Sequence, residues 1–193
     1  ADGSRQRVLT DGSIDLEGLD PNLKIAQTGP TWSPDGSKLA VVATLDGCGP
    51  HQRLFTVYVV DPAGDDPPIE IWGDGGGWWL MWSPDGTRLA IGASGNYATS
   101  VAVVADAEGS GSPVEVASGA AIGYPAWSTY GTHLEYSTAT MSSRSDVYVA
   151  APDGTAAISI TSDLVGPHNS SAAWRPQPLG PVGMVDPSTG KWY

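Results

Sequence analysis

One nine-residue phrase is written three times along this chain. Trp32-Ser-Pro-Asp-Gly-Ser-Lys-Leu-Ala40, Trp82-Ser-Pro-Asp-Gly-Thr-Arg-Leu-Ala90 and Trp127-Ser-Thr-Tyr-Gly-Thr-His-Leu-Glu135 align without gaps. A fourth, degraded start follows at Trp174-Arg-Pro-Gln-Pro178. The four tryptophans fall 50, 45 and 47 residues apart. Such a fixed period belongs to architectures in which one supersecondary unit is stacked on copies of itself, because no single unit can bury its own apolar faces.

Within each period the apolar residues come in short runs. They occupy residues 39–43, 55–60 and 69–72, then 89–93, 100–104 and 114–116, then 133–136, 146–150 and 157–160. The runs are rich in Val, Ile and Tyr, and Asp-Gly and Pro turns punctuate them, as in antiparallel hairpins. No window carries a helical period. With 25 glycines, 16 prolines and only 16% charged residues, the composition excludes a helix bundle or coiled coil. A hydrophobic share of 40% argues against a disordered chain. No apolar stretch reaches the ~18 residues that a membrane-spanning helix needs. The expected fold is all-β, a β-propeller of four-stranded antiparallel blades.

The repeated phrase has a mechanical reading. Proline sets φ for the first corner of a turn, and glycine accepts the positive φ of a later one. The aspartate accepts local backbone N–H bonds. Asp35, Gly36, Asp85, Gly86 and Gly131 are therefore read as turn formers, with metal binding by Asp35 or Asp85 as the alternative. The indoles of Trp32, Trp82, Trp127 and Trp174, each at the same place in an innermost strand, are expected to wedge between neighbouring blades.

These residues resemble the WSPDG repeat of TolB-like propellers, a WD-repeat-like family, over residues 1–176. Two repeats match closely; the third replaces Pro-Asp with Thr129-Tyr130, and the fourth breaks up after Pro176. The resemblance implies a β-propeller, often exported from bacteria to the periplasm or beyond, that serves as a protein- or ligand-binding platform. The same repeat occurs as the non-catalytic propeller of some prolyl-oligopeptidase-like enzymes. Their Gly-x-Ser-x-Gly elbow has no counterpart in this sequence.

The ends of the sequence leave two expectations open. Residues 1–10 match residues 151–160, a turn and an outermost strand. Residues 177–193 form a Pro/Gly-rich tail with a short hairpin. In one reading the tail and residues 7–10 complete a fourth blade, giving three complete blades plus one built from both termini. In the other, the chain is part of a larger propeller, and exposed blade edges pair with another copy or another chain. The chain starts at Ala1, which suggests a processed, truncated or partial sequence.

Numbering the strands of a blade A to D from the channel outward separates the two faces. The A–B and C–D turns are short and uniform. The D–A and B–C loops are long and variable, the kind that carries binding on a rigid scaffold. The expected ligand-binding residues there are Trp78, Trp79, Tyr97, Tyr124, His51, Arg53 and His168. Adjacent indoles after Gly73-Asp-Gly-Gly-Gly77 suit a sugar ring, a peptide or a cation. That stretch is no phosphate loop, since it lacks the Gly-Lys-Ser/Thr ending.

Nine basic against 21 acidic residues give a net charge of −12, which disfavours nucleic acid and favours cationic partners. Cys48 is the only cysteine, so neither an internal disulfide nor a cysteine-rich zinc site forms. No cofactor is expected. Asp11, Asp15 and Asp20, with Gly12 and Asn22 nearby, are the candidates for calcium, and His51, His133 and His168 for another divalent ion; His133 is placed on a strand. The expected function is a non-catalytic scaffold that binds a protein, peptide or carbohydrate on the D–A/B–C face. The alternatives are a metal-assisted carbohydrate lyase or hydrolase at the channel mouth, and an assembly module completed by blade pairing.

Overall fold

A computed structural model of the chain describes residues 23–25, 29–45, 54–62, 66–73, 76–94, 99–119, 121–123, 125–139 and 145–162. Among these residues there is no helix, only β-strands, turns and bends. The strands form three antiparallel sheets, one per repeat.

The first sheet contains β1 (Leu23–Ile25), β2 (Thr31–Trp32), β3 (Leu39–Leu45), β4 (Leu54–Val60) and β5 (Ile69–Trp72). Its order is β1-β3-β4-β5, and β2 also pairs with β3. β1 and β2 lie along the same edge of β3, with Ile25 opposite Ala43 and Thr31 opposite Ala40. They are two pieces of one innermost strand, so the sheet has four strand positions. The second sheet runs β6 (Gly76–Trp82), β7 (Arg88–Ser94), β8 (Ser100–Asp106) and β9 (Val114–Gly119). The third runs β10 (Ala126–Trp127), β11 (Leu134–Ala139), β12 (Ser145–Ala150) and β13 (Ile158–Ser159). Each sheet is a four-stranded meander that follows the chain outward, which is a propeller blade.

Blades bury their faces on one another. Strand side chains alternate between faces, and both sides of the second blade's middle strands are apolar because it lies between the first and the third. Ala40, Val42, Val57, Val59 and Ile71 of the first blade pack on Leu80, Trp82, Leu89, Ile91, Val103 and Ala105 of the second. Ala90, Val104 and Val116, on the opposite face of the second blade, pack on Trp127, Leu134, Tyr136 and Ala150 of the third. Tyr136 and Tyr148 stack within the third blade, ring centroids 5.5 Å apart and 7° from parallel.

The repeated phrase builds the turn between the first and second strands. Ser33 and Lys38 bond backbone to backbone across the turn (Ser33 N to Lys38 O, 2.9 Å), and Lys38 N–H also donates to Ser33 Oγ at 2.9 Å. Ser33 Oγ in turn donates to Asp35 Oδ1 at 2.6 Å, and Ser37 N–H reaches the same oxygen at 3.0 Å. Ser83, Asp85, Thr87 and Arg88 repeat the network in the second blade. Gly36, Gly86 and Gly131 all have φ near +70° (73°, 72° and 68°), the conformation for which glycine is needed. In the third blade Tyr130 stands where the aspartate would be, and Ser128 Oγ only approaches Thr132 Oγ1, at 3.5 Å. His133 lies in this turn rather than on the strand the sequence suggested. Its N–H donates to Ser128 Oγ at 3.0 Å, and β11 begins at the next residue, Leu134.

Candidate functional site

The tryptophans of the repeat do wedge between blades, and in a fixed way. Trp82 Nε1 donates to the carbonyl of Thr31 at 2.9 Å, and Trp127 Nε1 to the carbonyl of Met81 at 3.1 Å. In both cases the acceptor is the residue just before the tryptophan of the preceding blade. Each buried indole thus satisfies its one polar atom on its neighbour's innermost strand. Arg88 adds a cation–π contact, its guanidinium carbon 4.8 Å from the Trp127 ring centroid, and donates to Gly131 O at 3.2 Å. Lys38 pairs with Glu108 in the same direction, from first blade to second.

Trp32 differs. It is 53% exposed, against 6% for Trp82 and Trp127, and its Nε1 has no acceptor among the described residues. The expected wedge is therefore made by Trp82 and Trp127 and not by Trp32. Its blade comes first, and no preceding blade is among the described residues. Trp174 lies outside the described residues.

At the opposite end of the innermost strands, all three blades carry an irregularity at the same height. In β6, Gly77 faces Ala93 and Trp79 faces Gly92, so Trp78 is the inserted residue of a bulge. In the first blade the register against β3 shifts between Ile25, opposite Ala43, and Thr31, opposite Ala40. In the third, Ile122 bridges to Thr138 before Ala126 meets Glu135. Bulges of this kind re-aim side chains and recur beside functional sites.

Trp79, directly after the second bulge, is 41% exposed. Gly92 lies opposite it, and a β-carbon there would sit 3.0 Å from Pro125 Cδ and 3.4 Å from Trp79 Cβ. The missing side chain leaves room for Pro125 of the third blade to pack against the second blade at Gly92. The Trp79 β-carbon and the buried Pro125 ring thus both border Gly92, where the loops enter the innermost strands. Neither the repeat nor the composition pointed to Gly92 or Pro125; their signal is the glycine inside an otherwise branched strand pattern. Of the expected ligand-binding residues, Trp79 is placed here. Trp78 is placed by its backbone. Tyr97, Tyr124, His51, Arg53 and His168 lie outside the described residues, as do Cys48, Asp11, Asp15 and Asp20.

The titratable groups divide by role. Hydrogen bonds from Ser33 and Ser37 hold the Asp35 carboxyl down from its ordinary 3.8 to about 2, and those from Ser83 and Thr87 hold Asp85 down to about 2. These carboxylates serve their own turns. Glu135 is the opposite case. It is 8% exposed, it stands where Ala40 and Ala90 stand in the other blades, and burial pushes its carboxyl upward. Sequence reasoning passed over it, although the aligned repeats display the exchange. His133 is exposed, with Nδ1 3.0 Å from Thr132 Oγ1. Among the described residues no three His, Cys, Asp or Glu side chains cluster to hold a metal ion. No helix there is long and apolar enough to cross a membrane.

No protein-family model and no curated protein matches the chain. Solved structures do. The β-propeller domain of the trilobed protease from Pyrococcus furiosus, described as having an open velcro topology, superposes with a TM-score of 0.56 at 16% identity, over 81% of this chain and 47% of that one. The AtxE2 isopeptidase with astexin3-dC4 bound gives 0.58 at 15% identity, over 72% and 31%. TolB from Acinetobacter baumannii gives 0.50 at 20% identity, over 76% and 32%. The chain thus spans less than half the length of these structures. Its fold is that of the TolB-like β-propellers, built from four-stranded antiparallel blades.

Proposed function

We propose that the chain is a non-catalytic propeller scaffold that binds a protein, peptide or carbohydrate ligand on the face where the D–A and B–C loops open. The observation that carries this reading is Trp79, a large aromatic ring left 41% exposed directly after a strand bulge. An indole face held by a bulged strand is preorganised to stack on a sugar ring, a prolyl ring or a cationic side chain. The net charge of −12 favours a basic partner among these. The opposite face offers less, because its turns spend their polar atoms on themselves. An exported bacterial setting, periplasmic or extracellular, belongs to the same reading. The peptidase and isopeptidase activities named for the solved relatives belong to those proteins.

The test is alanine substitution of Trp79, with Trp78 and Tyr124 as companions. The immobilised full chain is screened against a glycan array and a peptide library rich in Pro, Lys and Arg. The expected result is a specific hit that W79A weakens at least tenfold while its melting temperature stays within a few degrees. A hit retained in full by all three variants would place the ligand elsewhere.

A further inference from the structure

Thr31, Met81 and Ala126 precede the repeat tryptophans in the three innermost strands, and only Met81 carries sulfur. It is the one methionine among the described residues; Met141 and Met184 lie outside them. Met81 touches Trp127 twice. Its carbonyl accepts the indole N–H, and its thioether Sδ accepts the Trp127 backbone N–H at 3.4 Å. That amide has no place in the ladder to β11. Ser128 N–H bonds back to His133 O at 2.9 Å, and successive amides of a strand point to opposite edges, so the Trp127 amide points away from β11. A backbone N–H at such an edge needs an acceptor, and a sulfur from the second blade supplies it.

We propose that Met81 is a site of reversible oxidation, at which hydrogen peroxide converts the thioether to its sulfoxide and loosens the innermost strand of the third blade. A sulfur lone pair attacks one peroxide oxygen, the O–O bond breaks and an S–O bond forms. The departing hydroxide takes the proton left on the transferred oxygen and leaves as water. The sulfur is oxidised and the peroxide is reduced, and no further reactant is needed. Met81 is partly exposed, so a small peroxide reaches it without unfolding. The Trp127 amide engages one lone pair of the sulfur and leaves the other for the attack.

The surroundings make this joint sensitive to the added oxygen. Met81 packs against the cluster that holds Ala90, Val104, Trp127 and Leu134, so a sulfoxide brings a strong dipole into an apolar seam. It also adds bulk where the sulfur already touches the Trp127 amide. β10 is two residues long and pairs with β11 through Ala126–Glu135 and Trp127–Leu134, so the contacts to Met81 are a large share of what holds it. Arg88 still reaches Gly131 O, which keeps the turns of the two blades joined while the inner strand loosens. The joint between the first and second blades has Thr31 at this place and no sulfur to oxidise. The inference is independent of the ligand proposed for Trp79.

The experiment treats the full chain with hydrogen peroxide, maps sulfoxides by peptide mass spectrometry and follows amide hydrogen exchange. Met81 is expected to oxidise in the folded chain within about tenfold of its rate in the urea-unfolded chain. Its oxidation is expected to speed exchange across residues 126–136 about tenfold, with residues 39–60 unchanged. Reduction of the sulfoxide by the two methionine sulfoxide reductases should restore the original exchange, and Met81→Leu should make these amides indifferent to peroxide. The reductase arm needs no variant, so it decides the question even if Met81→Leu does not fold. A Met81 that stays reduced in the folded chain would overturn the proposal, as would a sulfoxide that leaves exchange unchanged. Fast exchange that persists after the Met81 sulfoxide is gone, or that peroxide also produces in Met81→Leu, would assign the effect to another residue and overturn it as well.

Discussion

A tryptophan is an expensive residue to place well, and the described part of the chain places it twice in the same way. Trp82 and Trp127 each bury an indole between blades and satisfy its N–H on the preceding innermost strand. Removing either leaves a large cavity and an unpaired carbonyl. Trp82→Ala is therefore expected to cost about 3–5 kcal/mol of unfolding free energy. Trp32→Ala, at a half-exposed ring with no described acceptor, is expected to cost well under half of that. Denaturant melts of the two variants check the contrast; equal losses would refute the wedge. Gly92→Ala is a second case at this scale, because its β-carbon meets the Pro125 ring at 3.0 Å. A loss of about 1–3 kcal/mol is expected, the usual range for overpacking. Glu135 works in the reverse sense. Its folded pKa lies above the ordinary value because of burial, so folding disfavours the ionised form. Stability is lost as pH rises through the folded value, and Glu135→Gln should raise the melting temperature at pH 7 but not at pH 4.

The turn between the first two strands of a blade is the element most fully written in the sequence. Proline, aspartate and glycine fix its corners, and the serine and the hydroxyl residue after the glycine turn the aspartate into an acceptor for their own N–H and O–H groups. Because Asp35 and Asp85 titrate near 2 in the fold and near 3.8 otherwise, their contribution is complete above about pH 4 and disappears as pH falls through about 2. The doubly substituted D35N/D85N chain should accordingly melt lower than the parent at pH 7, with the gap closing between pH 4 and pH 2. A gap that is independent of pH would assign the loss to packing instead. The strands were legible for a related reason: alternating Val, Ile and Tyr between such turns leave little choice of period, and β3, β7 and β8 lie where the apolar runs placed them. The bulges were not. A bulge is a mismatch between two strands, and neither strand alone records it; Trp78 reads as a loop residue until Gly77 and Trp79 are seen facing Ala93 and Gly92 within β6. His133 was misplaced at the same scale: it heads an apolar run in the sequence, but β11 begins only at Leu134.

For the whole molecule, the two ends of the innermost strands divide the labour. One end carries uniform turns linked from blade to blade by Lys38–Glu108 and by Arg88 on Gly131 and Trp127. The other carries irregular strand entries and the exposed Trp79. The period, the strand count and the blade order were open to reading in the sequence because they repeat. The site was only partly so: Trp79 stood out as one of two adjacent tryptophans after a glycine run, while the approach of Pro125 to Gly92 across from it depends on packing between blades that no single repeat encodes. The measurement that bears most directly on this division is paired binding by the full chain, W79A and the opposite-face variant Tyr130→Ala, against the ligand selected from the array and library screen. A loss of at least tenfold for W79A, with Tyr130→Ala binding like the parent and both variants folded, is the expected result. Loss on Tyr130→Ala with W79A intact would contradict the account and move the functional surface to the turn face.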